Sequence, residues 1–211
     1  MSGYKTVLKE YAEDSFTEKK SEFISYVRRV EDEAQAKEFI ESVKTKHKDA
    51  THNVYAYVLK DTGIARFSDD GEPSGTAGMP VLEVIKREGL SGVCVVVTRY
   101  FGGILLGAGG LVRAYAKAAK LGLDKAGTAE FTEHTAFCVS VGYGDYEKII
   151  KDLPKYSCVC SNTEFAADVC LSLSCEDRFF DEFEKYIADL SSGKIKCIKT
   201  GKVFAPRSEN K

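Results

Sequence analysis

The sequence of 211 residues predicts an α+β protein with two domains. Three observations lead to this class. Amphipathic helical patterns alternate with strand patterns over the first part of the chain, and one strand pattern among them is apolar on both faces. After residue 133 a new series of elements begins, in the order βαββαβ. We therefore expect one domain over residues 1–130 and a second over residues 134–211.

Three segments of the first domain carry apolar residues on one helical face. They predict helices at Asp32–His47, Thr76–Glu88 and Leu111–Asp124. Asp32 is suited to begin the first helix, because its carboxylate can accept hydrogen bonds from the free N–H groups there. Pro80 falls in the first turn of the second helix, where a missing N–H costs no intrahelical hydrogen bond.

Strand patterns lie before and between these helices. We expect strands at Lys5–Glu10, Glu22–Arg29, Ala50–Leu59 and Gly92–Thr98. The last is apolar on both faces, which predicts a strand in the centre of a sheet. Residues Gly122–Glu133 are polar and interrupted by glycine, which predicts a linker between the domains.

The second domain is predicted to be ferredoxin-like, because its elements follow the order βαββαβ. We expect strands at His134–Val141, Tyr156–Thr163, Phe165–Ser174 and Lys194–Phe204. Helices are expected at Tyr146–Leu153, after the first of these strands, and at Phe179–Leu190, before the last.

Composition and charge exclude several classes of protein. The 30 Lys and Arg residues against 32 Asp and Glu residues give a formal net charge of −2, so the protein does not hold nucleic acid by bulk neutralisation of phosphates. No apolar run approaches the roughly 20 residues that a membrane span needs, so we expect a cytoplasmic protein without membrane contact. The seven cysteines lack the spacing of zinc knuckles. We expect reduced thiols, no metal and no cofactor.

Three carboxylates stand in a turn-rich segment before the second helix. Asp69, Asp70 and Glu72 occur in the run Asp-Asp-Gly-Glu-Pro, which cannot continue a strand or a helix. They could hold a divalent cation, or supply an acid and a base together with His52. They could equally accept hydrogen bonds from the amides of their own loop. We favour the second interpretation, because turns select Asp and Gly for that reason.

A glycine-rich segment follows the apolar strand and leads into the third helix. It joins Arg99, Tyr100 and Arg113 to five glycines, Gly102, Gly103, Gly107, Gly109 and Gly110. Glycines let a backbone approach a ligand closely, and a helix start offers N–H groups to an anion. One explanation is an anion site flanked by Arg99 and Arg113. In that site Asp69 and Asp70 would orient the two arginines. Close packing of helix on sheet explains the glycines equally well, and the pattern matches neither a P-loop nor a dinucleotide fingerprint.

These motifs resemble the YigZ/IMPACT family. The matching stretches are Lys20–Ile24, Ala50–Ala56, Asp69–Pro80, Val97–Gly103 and Gly107–Tyr115. The resemblance covers residues 4–123 by motif. The segment after residue 134 is similar to the family's bacterial C-terminal domain by pattern.

The resemblance implies a first domain that is ribosomal-protein-S5-domain-2-like, and a ferredoxin-like second domain similar to the last domain of elongation factor G. Eukaryotic relatives regulate translation during amino-acid starvation, and no catalytic residues are established for the family. We therefore expect a non-enzymatic, translation-associated regulator that binds RNA, the ribosome or a translation-related protein through residues 99–113. The alternative is a small phosphate-handling or hydrolytic enzyme that uses Asp69, Asp70, Glu72 and His52.

Overall fold

The computed structural model describes residues 3–60 and 62–207. The chain divides into two compact units, with the boundary between Ala129 and Glu130. Each unit contains both helices and strands, which confirms the predicted α+β class with two domains. Within the described ranges, no helix combines the length and the apolar character needed to cross a membrane.

The described residues of the first unit form six strands and three helices. The strands are β1 (Tyr4–Val7), β2 (Tyr11–Glu18), β3 (Ser21–Arg29), β4 (His52–Val58), β5 (Ala65–Ser68) and β6 (Val93–Tyr100). The helices are α1 (Glu33–Lys46), α2 (Gly78–Arg87) and α3 (Ala108–Ala126). Five strands form one sheet in the order β2-β3-β6-β4-β5, with every neighbouring pair antiparallel.

The sheet is covered on both faces, which explains why residues Val93–Val97 of β6 are apolar on both faces. Val93, Val95 and Val97 pack in one core with α2 and α3. Cys94 and Val96 point to the opposite face and pack with α1. The prediction of a central strand is therefore confirmed.

The predicted helices are present, with small shifts at their ends. The carboxylate of Asp32 accepts a hydrogen bond of 2.8 Å from the backbone N–H of Gln35, which confirms the cap of α1. Pro80 lies in the first turn of α2, as expected. Two edge strands, β2 and β5, escaped prediction because β2 is mostly charged and polar and β5 has only four residues. The strand expected at Lys5–Glu10 ends at Val7.

Residues 122–133 are not a linker, so this prediction was wrong. Helix α3 continues to Ala126, and strand β7 (Thr128–Val141) begins two residues later. Gly127 alone separates them, with φ of 68°, a left-handed conformation that favours glycine. Leu123 and Ala126 are buried in the core of the first unit, so the apolar face of α3 extends through the polar-looking segment.

The second unit has the predicted βαββαβ order. Its elements after β7 are α4 (Tyr143–Asp152), a short 3₁₀ helix (Leu153–Tyr156), β8 (Val159–Phe165), β9 (Val169–Cys175), α5 (Asp177–Ser191) and β10 (Ile198–Pro206). Strand β10 pairs with β7, β7 with β9 and β9 with β8, and each of these three pairs is antiparallel. The core forms around Phe137, Phe180 and Phe183. The last strand starts at Ile198 rather than at Lys194.

Candidate binding site at the glycine-rich segment

Asp69 organises the turn-rich loop before α2. Its carboxylate accepts hydrogen bonds from the backbone N–H groups of Gly75, Ala77 and Gly78, at 2.9, 3.1 and 2.8 Å. The last two groups lie at the start of α2, where helical N–H groups have no intrahelical partner. Asp69 therefore closes the loop and caps α2. The residue directly before the helix, Ala77, makes no side-chain hydrogen bond to it.

Asp70 fastens the same loop to β4. One carboxylate oxygen accepts a hydrogen bond of 2.7 Å from the N–H of Asn53, and the other lies 3.5 Å from the ammonium of Lys44. The backbone oxygen of Asp70 accepts a hydrogen bond of 2.7 Å from Nδ1 of His52. We expected Asp69 and Asp70 to orient an arginine, and this expectation was wrong. Both carboxylates accept hydrogen bonds from backbone amides instead.

Glu72 is the centre of a buried polar cluster. Glu72 is only 8% exposed. Its Oε1 lies 2.6 Å from Nη1 of Arg99 and 2.8 Å from the hydroxyl of Tyr115. Nε2 of His52 is 3.8 Å from the same oxygen. Burial, with Glu72 as the second cause, raises the pKa of Tyr115 well above its usual range. The cluster joins the loop to β6 and to α3.

Arg99 cannot flank an anion site, which corrects a second expectation. The residue is 5% exposed, and its guanidinium lies between the rings of Phe23 and Phe101, 5.4 Å from each centroid. Its charge is balanced by Glu72. Tyr100 is also engaged within the domain, because its hydroxyl lies 2.9 Å from Nδ1 of His47.

The three carboxylates therefore serve the fold of their own loop. A catalytic carboxylate must face a substrate in an open pocket. Asp69 and Asp70 instead bind backbone amides, and Glu72 is buried against a guanidinium and a hydroxyl. This geometry favours the interpretation in which the loop satisfies its own hydrogen bonds.

Three of the five glycines are required by the fold. A Cβ on Gly102 would lie 2.0 Å from the carbonyl carbon and oxygen of Lys20, so the two backbones are in direct contact. Gly103 and Gly107 have φ of 82° and 70°, which L-residues rarely adopt. Close packing thus accounts for Gly102, and backbone conformation accounts for the other two.

Gly109 has no such explanation. It lies in the first turn of α3, its φ is not in the left-handed region, and a Cβ there would meet no atom within 4 Å. Glycine within a helix costs about 0.5–1 kcal/mol relative to alanine. Gly110 is intermediate, because a Cβ there would lie 3.0 Å from Cβ of Leu106. The fold alone does not account for glycine at position 109.

The glycine-rich segment also exposes apolar side chains. Between β6 and α3 the chain has no regular structure, and Phe101, Ile104 and Leu105 are 43%, 41% and 82% exposed. Arg113 follows on the exposed side of α3, and within residues 3–60 and 62–207 no acidic group lies at ion-pair distance from it. Apolar side chains grouped at a surface are typical of interaction sites.

The seven cysteines are free thiols. In the part of the chain that the structure describes, no group of three or more His, Cys, Asp or Glu side chains is arranged to hold a metal ion. Burial raises the pKa of Cys197 to about 12 and that of Cys94 further still.

The sequence reasoning missed Lys19, Lys20 and Tyr115. Tyr115 lies on the buried face of α3, and only the structure shows that its hydroxyl reaches Glu72. Lys19 and Lys20 form the turn between β2 and β3, and both have positive φ, 45° and 66°. Recognition of β2 as a strand would have revealed this turn, because the two lysines then lie between two strand patterns.

Comparison with known proteins places these motifs in a family. Residues 19–123 match the model of the Impact N-terminal domain, and residues 139–194 match a domain of unknown function, DUF1949. The chain is 40% identical over 204 residues to the IMPACT family member YvyE of Bacillus subtilis, covering 96% of this chain and 93% of that protein. The chain belongs to the IMPACT family.

Other IMPACT relatives agree with this assignment. The family member YigZ of Escherichia coli is 36% identical over 183 residues, covering 85% of this chain and 90% of that protein. A crystal structure described as a hypothetical protein superposes with a TM-score of 0.60 at 32% identity, over 95% of this chain and 98% of the other. The turn-rich loop and the glycine-rich segment both lie within the matched Impact N-terminal domain.

Proposed function

We propose that this IMPACT family protein is a non-enzymatic regulator of translation in the cytoplasm, and that it binds RNA, the ribosome or a translation-related protein through residues 99–113. The observation that carries the proposal is the composition of this exposed segment. It combines exposed apolar side chains, the unpaired Arg113 and a glycine at position 109 that the fold does not need. The family resemblance supports the translation part, since eukaryotic relatives regulate translation.

The exposed side chains are suited to binding rather than to catalysis. Burying a side chain such as Leu105, which is 82% exposed, against a partner is worth about 1.5–3 kcal/mol. Arg113 adds a charge that steers association and contacts phosphates or carboxylates. Gly109, without a side chain, leaves room for the backbone of a partner to lie against the first turn of α3.

Gly109→Ala is the variant that separates binding from folding. A methyl group at this position meets no atom of the domain, so we expect the free energy of unfolding to stay unchanged or rise by up to about 1 kcal/mol. The methyl group would, however, stand in the interface, and we expect binding to fall. The assay is co-sedimentation of the full chain with ribosomes and, separately, with structured RNA, over a series of salt concentrations.

Gly144→Ala provides a matched control. Gly144 is also the second residue of its helix, α4, and a Cβ there also meets no atom within 4 Å. This variant should gain the same stability and bind as the wild type does. Equal binding by Gly109→Ala and wild type at every salt concentration would remove the segment from the interface and refute the proposal.

A further inference from the structure

A cleft lies between the turn of the β2–β3 hairpin and the exposed side of α3. Its volume is about 270 Å³, and three cations line it: Lys19 from the hairpin, and Arg113 and Lys117 from α3. We call these three residues the cationic cleft. The remaining lining residues are Phe16, Glu18, Leu106, Gly110 and Ala114.

The cations of the cleft are not neutralised by the domain. In residues 3–60 and 62–207, Lys19, Arg113 and Lys117 have no acidic group within ion-pair distance. Lys120, one turn further along α3, lies 3.1 Å from Glu88 and also pairs with Asp124. Glu18 is the one carboxylate among the residues lining the cleft. The lining residues together therefore carry a formal charge of +2. Arg113 and Lys117 therefore keep an unpaired positive charge, whereas Lys120 on the same helix does not.

Both sides of the cleft are held in place by packing. Nζ of Lys117 lies 4.2 Å above the ring of Phe16, and that ring stacks on Phe23 with centroids 5.3 Å apart. On the other side, Lys19 is held in the left-handed region at φ 45°. The backbone contact of Gly102 with Lys20 fixes this turn against the glycine-rich segment.

We propose that the cationic cleft binds a backbone phosphate of single-stranded RNA. The inference rests on the proposed function and names the ligand and the residues that hold it. Arg113 offers a planar fork of donors, and Lys19 and Lys117 offer point charges, the two kinds of group that proteins use on phosphates.

The neighbouring surface favours RNA over a phosphorylated peptide. Arg113 and Lys117 are one helical turn apart, so they form a row along which a charged strand can run. In the segment that leads into α3, Phe101, Ile104 and Leu105 are exposed. Single-stranded nucleic acid pairs a charged backbone with flat base faces, and a cationic cleft together with exposed apolar side chains, one of them a ring, matches both.

The first test measures the salt dependence of RNA binding. A fluorescently labelled oligouridine is titrated with the full chain by anisotropy, between about 50 and 200 mM salt. A variant that no longer neutralises one phosphate should show a slope of log affinity against log salt that is smaller by about 0.7. We expect this reduction for Lys19→Gln and for Lys117→Gln, and no change for the control Lys120→Gln, whose lysine is already paired.

The second test uses inorganic phosphate and does not depend on RNA. Amide resonances of Lys19, Gly110 and Arg113 should shift on addition of phosphate to ¹⁵N-labelled protein, relative to chloride at equal ionic strength. Lys117→Gln should reduce these shifts. Absence of shifts in the wild type would overturn the cleft as a phosphate site.

The outcomes for the cleft and for the proposed function are distinct. Wild-type slopes in Lys19→Gln and Lys117→Gln would overturn the cleft, while ribosome binding sensitive to Gly109→Ala would leave the proposed function intact. Phosphate shifts without RNA binding would support the phosphate site and overturn its assignment to RNA. Tighter binding of a phosphoserine peptide than of oligouridine would overturn the RNA assignment.

Discussion

Replacing Glu72 by alanine removes the acceptor for two buried groups at once. Arg99, 5% exposed, would keep a charge with no carboxylate at Nη1, and the hydroxyl of Tyr115 would lose its partner. Breaking a buried ion pair by removing one partner costs about 3–5 kcal/mol. Because native domains are stable by about 5–15 kcal/mol, the loss is a large part of the total. We expect Glu72→Ala to lose about 3–5 kcal/mol of unfolding free energy.

Urea denaturation followed by far-UV circular dichroism measures this loss, since the protein has no tryptophan to report by fluorescence. Glu83→Ala is the control. Glu83 makes an exposed pair with Lys86 at 3.8 Å, and such pairs contribute about 0–1 kcal/mol. The comparison keeps the substitution constant and sets a buried ion pair against an exposed one.

The double variant Glu72→Leu with Arg99→Met tests the cause of the loss. Replacing both members of a buried pair by apolar side chains removes the unpaired charge, so part of the stability lost in Glu72→Ala should return. A loss in Glu72→Ala no larger than in Glu83→Ala would refute the argument that the loop carboxylates serve the fold.

Three further predictions concern Gly102, His134 and the exposed segment around Leu105. Gly102→Ala places a Cβ 2.0 Å from the backbone of Lys20 and should lower the free energy of unfolding by about 1–3 kcal/mol, measured by urea denaturation. Burial lowers the pKa of His134 below its ordinary value of 6.5, so the folded state accepts a proton on this side chain less readily than the unfolded chain does. The free energy of unfolding is therefore unaffected by His134 above about pH 6.5 and falls as the pH decreases below that value. His134→Leu should make the free energy of unfolding less dependent on pH in this range. Brief chymotrypsin treatment should cut near Leu105, 82% exposed, before any bond of residues 124–133.

Each of these predictions has a contrary result. A stability of Gly102→Ala equal to that of Gly109→Ala would mean that the hairpin turn yields without cost. Equal slopes of unfolding free energy between pH 7.5 and 5.5 for wild type and His134→Leu would remove His134 as a cause. A first chymotrypsin cut within residues 124–133 would contradict the continuous passage from α3 to β7.

Much of the fold was predictable because its signals are local. The apolar face of α1, its cap at Asp32 and the βαββαβ order of the second domain are visible in short windows of sequence. Strand β2 was missed because an edge strand with one face in solvent carries many charged residues. The linker at residues 122–133 was predicted wrongly because the glycine and the charged residues after residue 121 are typical of a loop, whereas Leu123 and Ala126 continue the buried face of α3.

The candidate site was predictable in its location but not in its contacts. Both motifs stood out from their composition, and the loop interpretation of Asp69 and Asp70 agrees with the geometry. The role expected for Arg99 was wrong, since sequence does not indicate that a charged residue at a strand end is turned inward and paired.

The sequence by itself determined the fold class, the order of elements in the second domain and the two segments that set this protein apart. Only the tertiary structure decided which charges remain available. Glu72 and Arg99 are 27 residues apart and neutralise each other in the interior, while Lys19 lines the same cleft as Arg113 and Lys117, almost a hundred residues further along the chain. Local sequence sets backbone conformation and periodicity, but charge pairing depends on distances that only the packed sheet and helices establish.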